Sequence, residues 1–210
     1  MKRLVLVLLA VAMLQMVAAP AADAQDAEAK YQAMLAAAKA DPAGTDWQAL
    51  RFAYADRPSF SPYGGDGGLK AMRAARAAHD WQGLLDAANK VLDVSYVDGE
   101  AHLAAGAAYY MLGKSAEAER EQTIAVAIFK SMMRNGDGKS PEQAFVVISV
   151  LEEYQLMAAR RRRVVGQRLV NVAGHAYDVI DATEPDGDTV TFYFQIDRVL
   201  AAQARSLGQK

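Results

Sequence analysis

The spacing of apolar residues changes once along this chain, and that change bounds the fold. From Tyr31 to Met133 apolar side chains recur at helical intervals, and from Val164 to Ile196 they alternate every second residue. Helices first and strands last describe an α+β protein, because an α/β protein would interleave the two. The expected architecture is a set of N-terminal antiparallel helical hairpins, then a small antiparallel β-meander, then a C-terminal helix. Residues 25–134 form the helical region and residues 135–210 a small α+β region packed on it in one continuous domain.

Within the helical region, Tyr31, Met34, Leu35 and Ala38 make a short amphipathic face that Asp41-Pro42-Ala43-Gly44 ends. Thr45 or Asp46 caps a second helix with Trp47, Leu50 and Tyr54 on one side, stopped at Arg57-Pro58. Residues 57–68 are loop, since their prolines and glycines remove donors or add backbone entropy; a connector is the expected role, ahead of a binding loop. Trp81, Leu84, Leu85, Ala88, Val91 and Leu92 form one apolar stripe. A helix over 100–112 presents Ala101, Ala105, Ala108 and Leu112, and Gly113 ends it. From about Ser115 a longer helix stacks Ile124, Ile128 and Met132 beside Ala125, Phe129 and Met133. Trp81, Leu85, Ala88 and Tyr109 are expected to be buried between helices.

The strand region has one clear member. Val190, Phe192, Phe194 and Ile196 alternate with Thr191, Tyr193 and Gln195, the pattern of a half-buried strand. Its partners are expected over 164–172 and 176–181, joined through turns at Ala173-Gly174-His175 and at Glu184-Pro185-Asp186-Gly187-Asp188. Phe145 to Val150 reads as a strand, with helix from Leu151 to Ala159. A last helix runs from Asp197 to Leu207.

The first residues point to export. Lys2 and Arg3 precede an unbroken apolar run from Leu4 to Leu14, and Ala22-Asp23-Ala24 places small residues where a signal peptidase reads. Residues 1–24 are thus read as a signal peptide cut after Ala24, giving a periplasmic or secreted protein with no transmembrane segment in the mature chain; the apolar run is shorter than the roughly 20 residues that span a bilayer. The chain has no cysteine, which excludes disulfides, thiolate metal sites and a thiol nucleophile. Net charge is −2, about −3 without the leader, so there is no clustered positive charge to bind nucleic acid.

Several constellations fail as chemistry. Gly138-Lys139-Ser140 lacks the first glycine of a phosphate-binding loop, which would fall at Met133, so no nucleotide is expected. Ser140 is instead a cap with Pro141 opening the next element. Asn135 and Asp137 do not begin a calcium loop, because the sixth position is Ser140 and the twelfth Val146. His79, His102 and His175 are too scattered for a metal site, and no cofactor is expected. Adjacent Glu152 and Glu153 cannot oppose one another across a substrate, and one of them is read as a buried partner for an arginine. Arg160 to Arg163 is read as a solvated helix end near carbonyls, with contact to anionic headgroups as the minority reading.

Two resemblances follow from these residues. Gly106, Tyr109, Gly113, Ala118 and Ala125 have the spacing of a tetratricopeptide repeat, and the preceding helix falls one 34-residue period earlier. His102, Gln122 and Lys130 depart from that pattern, and the spacing does not support a peptide-binding groove. Separately, Gly136-Asp137-Gly138-Lys139-Ser140-Pro141 continuing through Phe145 to Tyr154, with Gly174-His175-Ala176-Tyr177-Asp178-Val179, Leu50-Arg51-Phe52-Ala53-Tyr54 and Pro62-Tyr63-Gly64, resembles a bacterial family known as domain of unknown function 4919. That resemblance implies no activity. Two functional readings stand: a non-enzymatic interaction or envelope-associated module meeting another envelope protein or peptide, and an envelope-acting hydrolase using polar groups between 137 and 178. The candidate binding residues are Asp137, Lys139, Glu153, His175 and Tyr177, with Asp178 beside them; none is assigned as catalytic.

Overall fold

A computed structural model describes residues 19–63, 68–184 and 186–208. Most of the leader, Gly64 to Gly67 in the loop, and Pro185 in the hairpin turn lie outside the described residues. Helices come first: α1 (Ala19–Ala40), α2 (Trp47–Ala55), α3 (Leu69–Ala77), α4 (Trp81–Val94), α5 (Gly99–Met111) and α6 (Ser115–Met132). A 3-10 turn at Pro141–Gln143 leads into β1 (Phe145–Val146) and α7 (Val150–Ala159). Then come β2 (Arg163–Val172), β3 (His175–Thr183), β4 (Thr189–Gln195) and α8 (Asp197–Gly208). Among the described residues no helix is long and apolar enough to cross a membrane.

Short polar side chains start the helices. Asp46, Asp80, Asp98 and Ser149 accept hydrogen bonds from the backbone N–H three residues on, opening α2, α4, α5 and α7. Asp46 takes the cap that either it or Thr45 was expected to take; the Thr45 hydroxyl donates to the Asp41 carbonyl instead. Helices α3, α4 and α5 each pack on the next. The α4 stripe is buried at Leu84, Leu85, Ala88, Val91 and Leu92, against Met72 of α3 and Ala101, Ala104 and Ala105 of α5. Trp81 and Tyr109, expected inside, are only half-buried at the edge of this cluster, and Leu112 is exposed because it lies past the last turn of α5. The α5 and α6 backbones approach closely at Gly106, where a Cβ would stand 3.1 Å from Gln122 and 3.3 Å from the Ala118 carbonyl.

The sheet runs β1-β4-β3-β2. Three strands form the expected antiparallel meander, with Val179 opposite Tyr193 and Arg168 opposite Val179. Ala173 and Gly174 both take positive φ in the turn between β2 and β3, as a two-residue hairpin turn requires. The strand expected at Phe145 joins the meander as a fourth member, because β1 pairs parallel to β4 with Phe145 beside Phe194. It is shorter than the expected strand over 145–150. Only Phe145 and Val146 pair, and the Ser149 cap starts the helix before the apolar run can continue as strand. Ser140 precedes Pro141 as expected, although its side chain makes no capping bond.

The inner sheet face joins the largest apolar cluster, where Ile180, Phe192 and Phe194 meet Tyr31, Leu50, Ile124, Ile128 and Leu156. On the outer face Tyr177 and Val179 pack with Ala144, Val170 and Tyr193. The arginine run is only partly the solvated end expected from its charge: Arg161 and Arg163 are exposed, whereas Arg160 and Arg162 are half-buried. Arg160 lies over Phe145 and Phe192 with its guanidinium 5.5 and 5.6 Å from the ring centres, and Arg162 pairs with Glu184 at 2.6 Å. Finally, α8 is held to α2 by Arg205, which donates to the Ala55 carbonyl, and by Arg198 over the Phe52 ring at 3.8 Å.

Candidate functional site

The helices leave a cavity of about 1160 Å³ between α3 and α4 on one side and the start of α7 on the other. Small residues on α3 and α4 make room for it, since Ala71, Ala74, Ala75 and Ala87 carry no bulk toward the opening. Val91 and Val94 extend that wall, Tyr54, Phe60, Pro62 and Tyr63 close one side, and Ile148 to Leu151 form the opposing edge. A mostly apolar concavity with a few polar groups is the usual form of a small-ligand site. The polar groups among the described residues here include Asp80, Asp86, Lys90, Asp98, Ser149, Glu152 and Gln155, with the hydroxyls of Ser61 and Ser95.

A buried ion pair fixes the α7 edge of this cavity. Arg51 of α2 is fully buried and donates from Nε to Glu152 Oε1 at 2.9 Å and from Nη2 to Glu152 Oε2 at 2.5 Å. It also donates from Nη1 to Ser131 Oγ and from Nη2 to the Val146 carbonyl, so each of the three guanidinium nitrogens has an acceptor. Glu152 Oε2 accepts the Ile148 N–H at 2.8 Å, which pins the bend between β1 and α7. The expectation that one of the two acids is a buried arginine partner is met by Glu152.

Asp98 is the other acid of note. Its carboxylate caps α5 through the Ala101 N–H at 2.9 Å and accepts from Gln155 Nε2 at 3.1 and 3.3 Å. It has no ion-pair partner among the described residues. Burial within the cavity wall pushes its pKa up, against the lowering effect of the two hydrogen bonds, and the nearby negative charges of Glu152 and Glu100 push the same way.

The residues singled out from sequence divide into separate places. Glu153 and Asp178 do meet, across the α7 to β3 contact. Burial, and then the Asp178 charge and hydrogen bond, push the Glu153 carboxyl up to about 9, so it stays protonated at neutral pH. Gln167 of β2 bridges the pair, donating to Asp178 Oδ2 at 2.5 Å and Glu153 Oε2 at 3.3 Å, and the Tyr154 hydroxyl donates to Gln167. His175 stands apart at the start of β3, exposed, with Nδ1 2.6 Å from Asp197 Oδ2 at the head of α8. Tyr177 is buried in the outer-face cluster. Asp137 accepts the Lys139 N–H in the exposed turn before β1, and Lys139 is exposed there. None of the six lines the cavity.

Arg51, Asp98 and Gln155 were missed as site residues. Arg51 carried a faint signal, an arginine between Leu50 and Phe52 on a short amphipathic helix. Asp98 carried only that of a helix cap, and Gln155 none. His102 is a satisfied structural histidine, as its place on a helix led one to expect, with Nδ1 2.5 Å from Glu121 and Nε2 2.9 Å from the Tyr96 carbonyl.

No curated protein and no solved structure matches this chain. Residues 23–205 match the family described as Domain of unknown function (DUF4919), a span that takes in α2, the cavity, the Arg51–Glu152 pair and the whole sheet. The chain belongs to that family.

Proposed function

We propose that this protein is an exported, non-enzymatic binding module of the bacterial envelope, and that the cavity between α3–α4 and α7 receives an apolar group of an envelope component. The cavity is the observation that carries the reading: about 1160 Å³ lined largely by alanine, valine and aromatic side chains exceeds what packing alone would leave. Export rests on the leader pattern of Lys2, Arg3, Leu4 to Leu14 and Ala22-Asp23-Ala24, with mature protein beginning at Gln25. The close approach of α5 and α6 at Gly106 supports a tetratricopeptide-like hairpin behind α4, which packs on α5.

The hydrolase alternative needs the polar groups of residues 137–178 gathered in one cleft. They occupy two turns, an outer-face cluster and a buried acid pair, and a water-excluded protonated Glu153 with no approach from the cavity has no substrate to protonate. The binding reading is tested with Nile red, a neutral apolar dye. Wild type binds it with about one site per chain, and Ala74→Trp, an exposed cavity-lining position on α3, abolishes binding with an unchanged melting temperature. Equal dye binding by Ala74→Trp and wild type refutes the reading. Intact mass of material exported by a bacterial host, starting at Gln25, tests the leader separately.

A further inference from the structure

We propose that Asp98 and Gln155 form a head-group subsite in the cavity wall, which recognises the ammonium of an apolar-tailed cationic ligand. The inference rests on the binding reading above and names the ligand chemistry. Of the four acids among the described residues of the wall, Glu152 is neutralised by Arg51, Asp86 accepts from Gln82 within α4, and Asp80 is an exposed cap. Asp98 alone combines restricted solvent with neutral donors only, the Ala101 N–H and the Gln155 amide. A carboxyl in that position lacks a counter-charge, and a ligand cation supplies it with a charge-assisted hydrogen bond. Gln155 uses its amide N–H on Asp98, which leaves its side-chain carbonyl as a second acceptor for an ammonium.

The surroundings select the same sign. Glu100 adds an acidic charge beside Asp98, and Glu152, although paired with Arg51, acts in the same direction, so an anionic head is disfavoured there. Lys90 is the one cation among the described residues of the wall; it is exposed, and it sits on α4 one turn after Asp86, on the same helix face. The apolar wall of Ala71, Ala75, Ala87 and Val91 takes the tail. An ammonium at Asp98 and an alkyl chain along that wall account for both the polar and the apolar parts of the lining.

The test titrates full-length protein, below micelle concentrations at pH 7, with dodecylammonium, dodecanol and dodecanoate. The ammonium should bind roughly tenfold to a hundredfold more tightly than the alcohol, the span of a charge-assisted hydrogen bond, and the carboxylate more weakly than both. Asn is as good a helix cap as Asp, so Asp98→Asn should keep the fold and bring ammonium and alcohol affinities within about twofold, leaving the alcohol unchanged. Gln155→Leu, which leaves the cap intact, should lower the ammonium preference in the same direction. An ammonium preference that survives Asp98→Asn, or dodecanoate binding as tightly as the ammonium, overturns the inference while the cavity reading stands. Failure of all three probes to bind overturns both.

Discussion

Glu152→Ala is the perturbation with the best-defined consequence, because the structure specifies what it strands. Arg51 makes four side-chain hydrogen bonds from a fully buried position, and two of them end on Glu152. Removing the carboxylate leaves a guanidinium with only the Ser131 hydroxyl and the Val146 carbonyl, and it leaves the buried Ile148 N–H without its acceptor. Breaking one partner out of a buried pair costs about 3–5 kcal/mol, and an unsatisfied amide adds roughly 1–3 kcal/mol before water enters. A net loss of about 4 kcal/mol is a large part of the roughly 5–15 kcal/mol a folded domain possesses. Equilibrium urea unfolding reads it directly: with a slope of about 2 kcal/mol/M, the midpoint should fall by about 2 M. Replacing both members, Arg51→Met with Glu152→Leu, should recover most of the loss, since no buried charge is then unpaired. A midpoint shift below about 0.5 M for Glu152→Ala would falsify the claim that this pair is a closed, desolvated unit.

Two further outcomes follow from other sites. Glu153 is raised to about 9 in the fold, so its contribution is fully present below the ordinary carboxylate value of 4.5 and is lost as pH rises toward 9. Above the ordinary value the unfolded chain releases a proton that the fold retains, with a slope of up to about 1.4 kcal/mol per pH unit. Wild type should therefore weaken between pH 5 and 8 relative to Glu153→Gln, and parallel urea midpoints across that range would refute a protonated Glu153. Gly138 has φ of +79°, and a Cβ there would stand 2.5 Å from the Phe145 ring, while its carbonyl accepts the Tyr193 N–H that extends the β4 edge. Gly138→Ala should destabilise by about 2–5 kcal/mol in thermal or urea unfolding, from left-handed strain plus overpacking, and a loss under about 0.5 kcal/mol would mean this turn is free to move.

Features read correctly from the sequence were those decided within a few residues. The α4 stripe and the β4 alternation place Leu84, Leu85, Ala88, Phe192 and Phe194 in the core, because burial and periodicity are the same observation there. The turns at Gly174 and Gly187 were legible for the same local reason. Arg51 was not, since its partner lies 101 residues away and an arginine next to Leu50 looks like a helix surface until α7 arrives. The parallel pairing of β1 had no local signal either, as two residues cannot show a period and their partner strand is set by the Gly138 carbonyl and Val146 register. The cavity is a property of the spacing between α3–α4 and α7, which no single segment encodes.

The acid pair at the start of α7 shows how a family signature with no chemistry of its own can still govern a site. Successive helical residues point about 100° apart, so consecutive side chains sweep the whole circumference in under four positions. Glu152 reaches α2 through Arg51, Glu153 meets Asp178 of β3, Tyr154 bonds Gln167 of β2, and Gln155 returns to the Asp98 cap of α5. One turn of helix thus ties four elements together, and three of those four residues, Glu152, Tyr154 and Gln155, also line the cavity. The edge of the cavity is therefore only as fixed as these ties. Removing the Glu152 carboxylate releases Ile148 on the cavity wall, next to the Ser149 cap, whereas Glu153→Gln preserves a neutral, hydrogen-bonding side chain facing the sheet. In the fraction of molecules that remain folded, Glu152→Ala should weaken Nile red binding severalfold, and Glu153→Gln should leave it at the wild-type level. The reverse order would place the ligand against the sheet rather than between α3–α4 and α7.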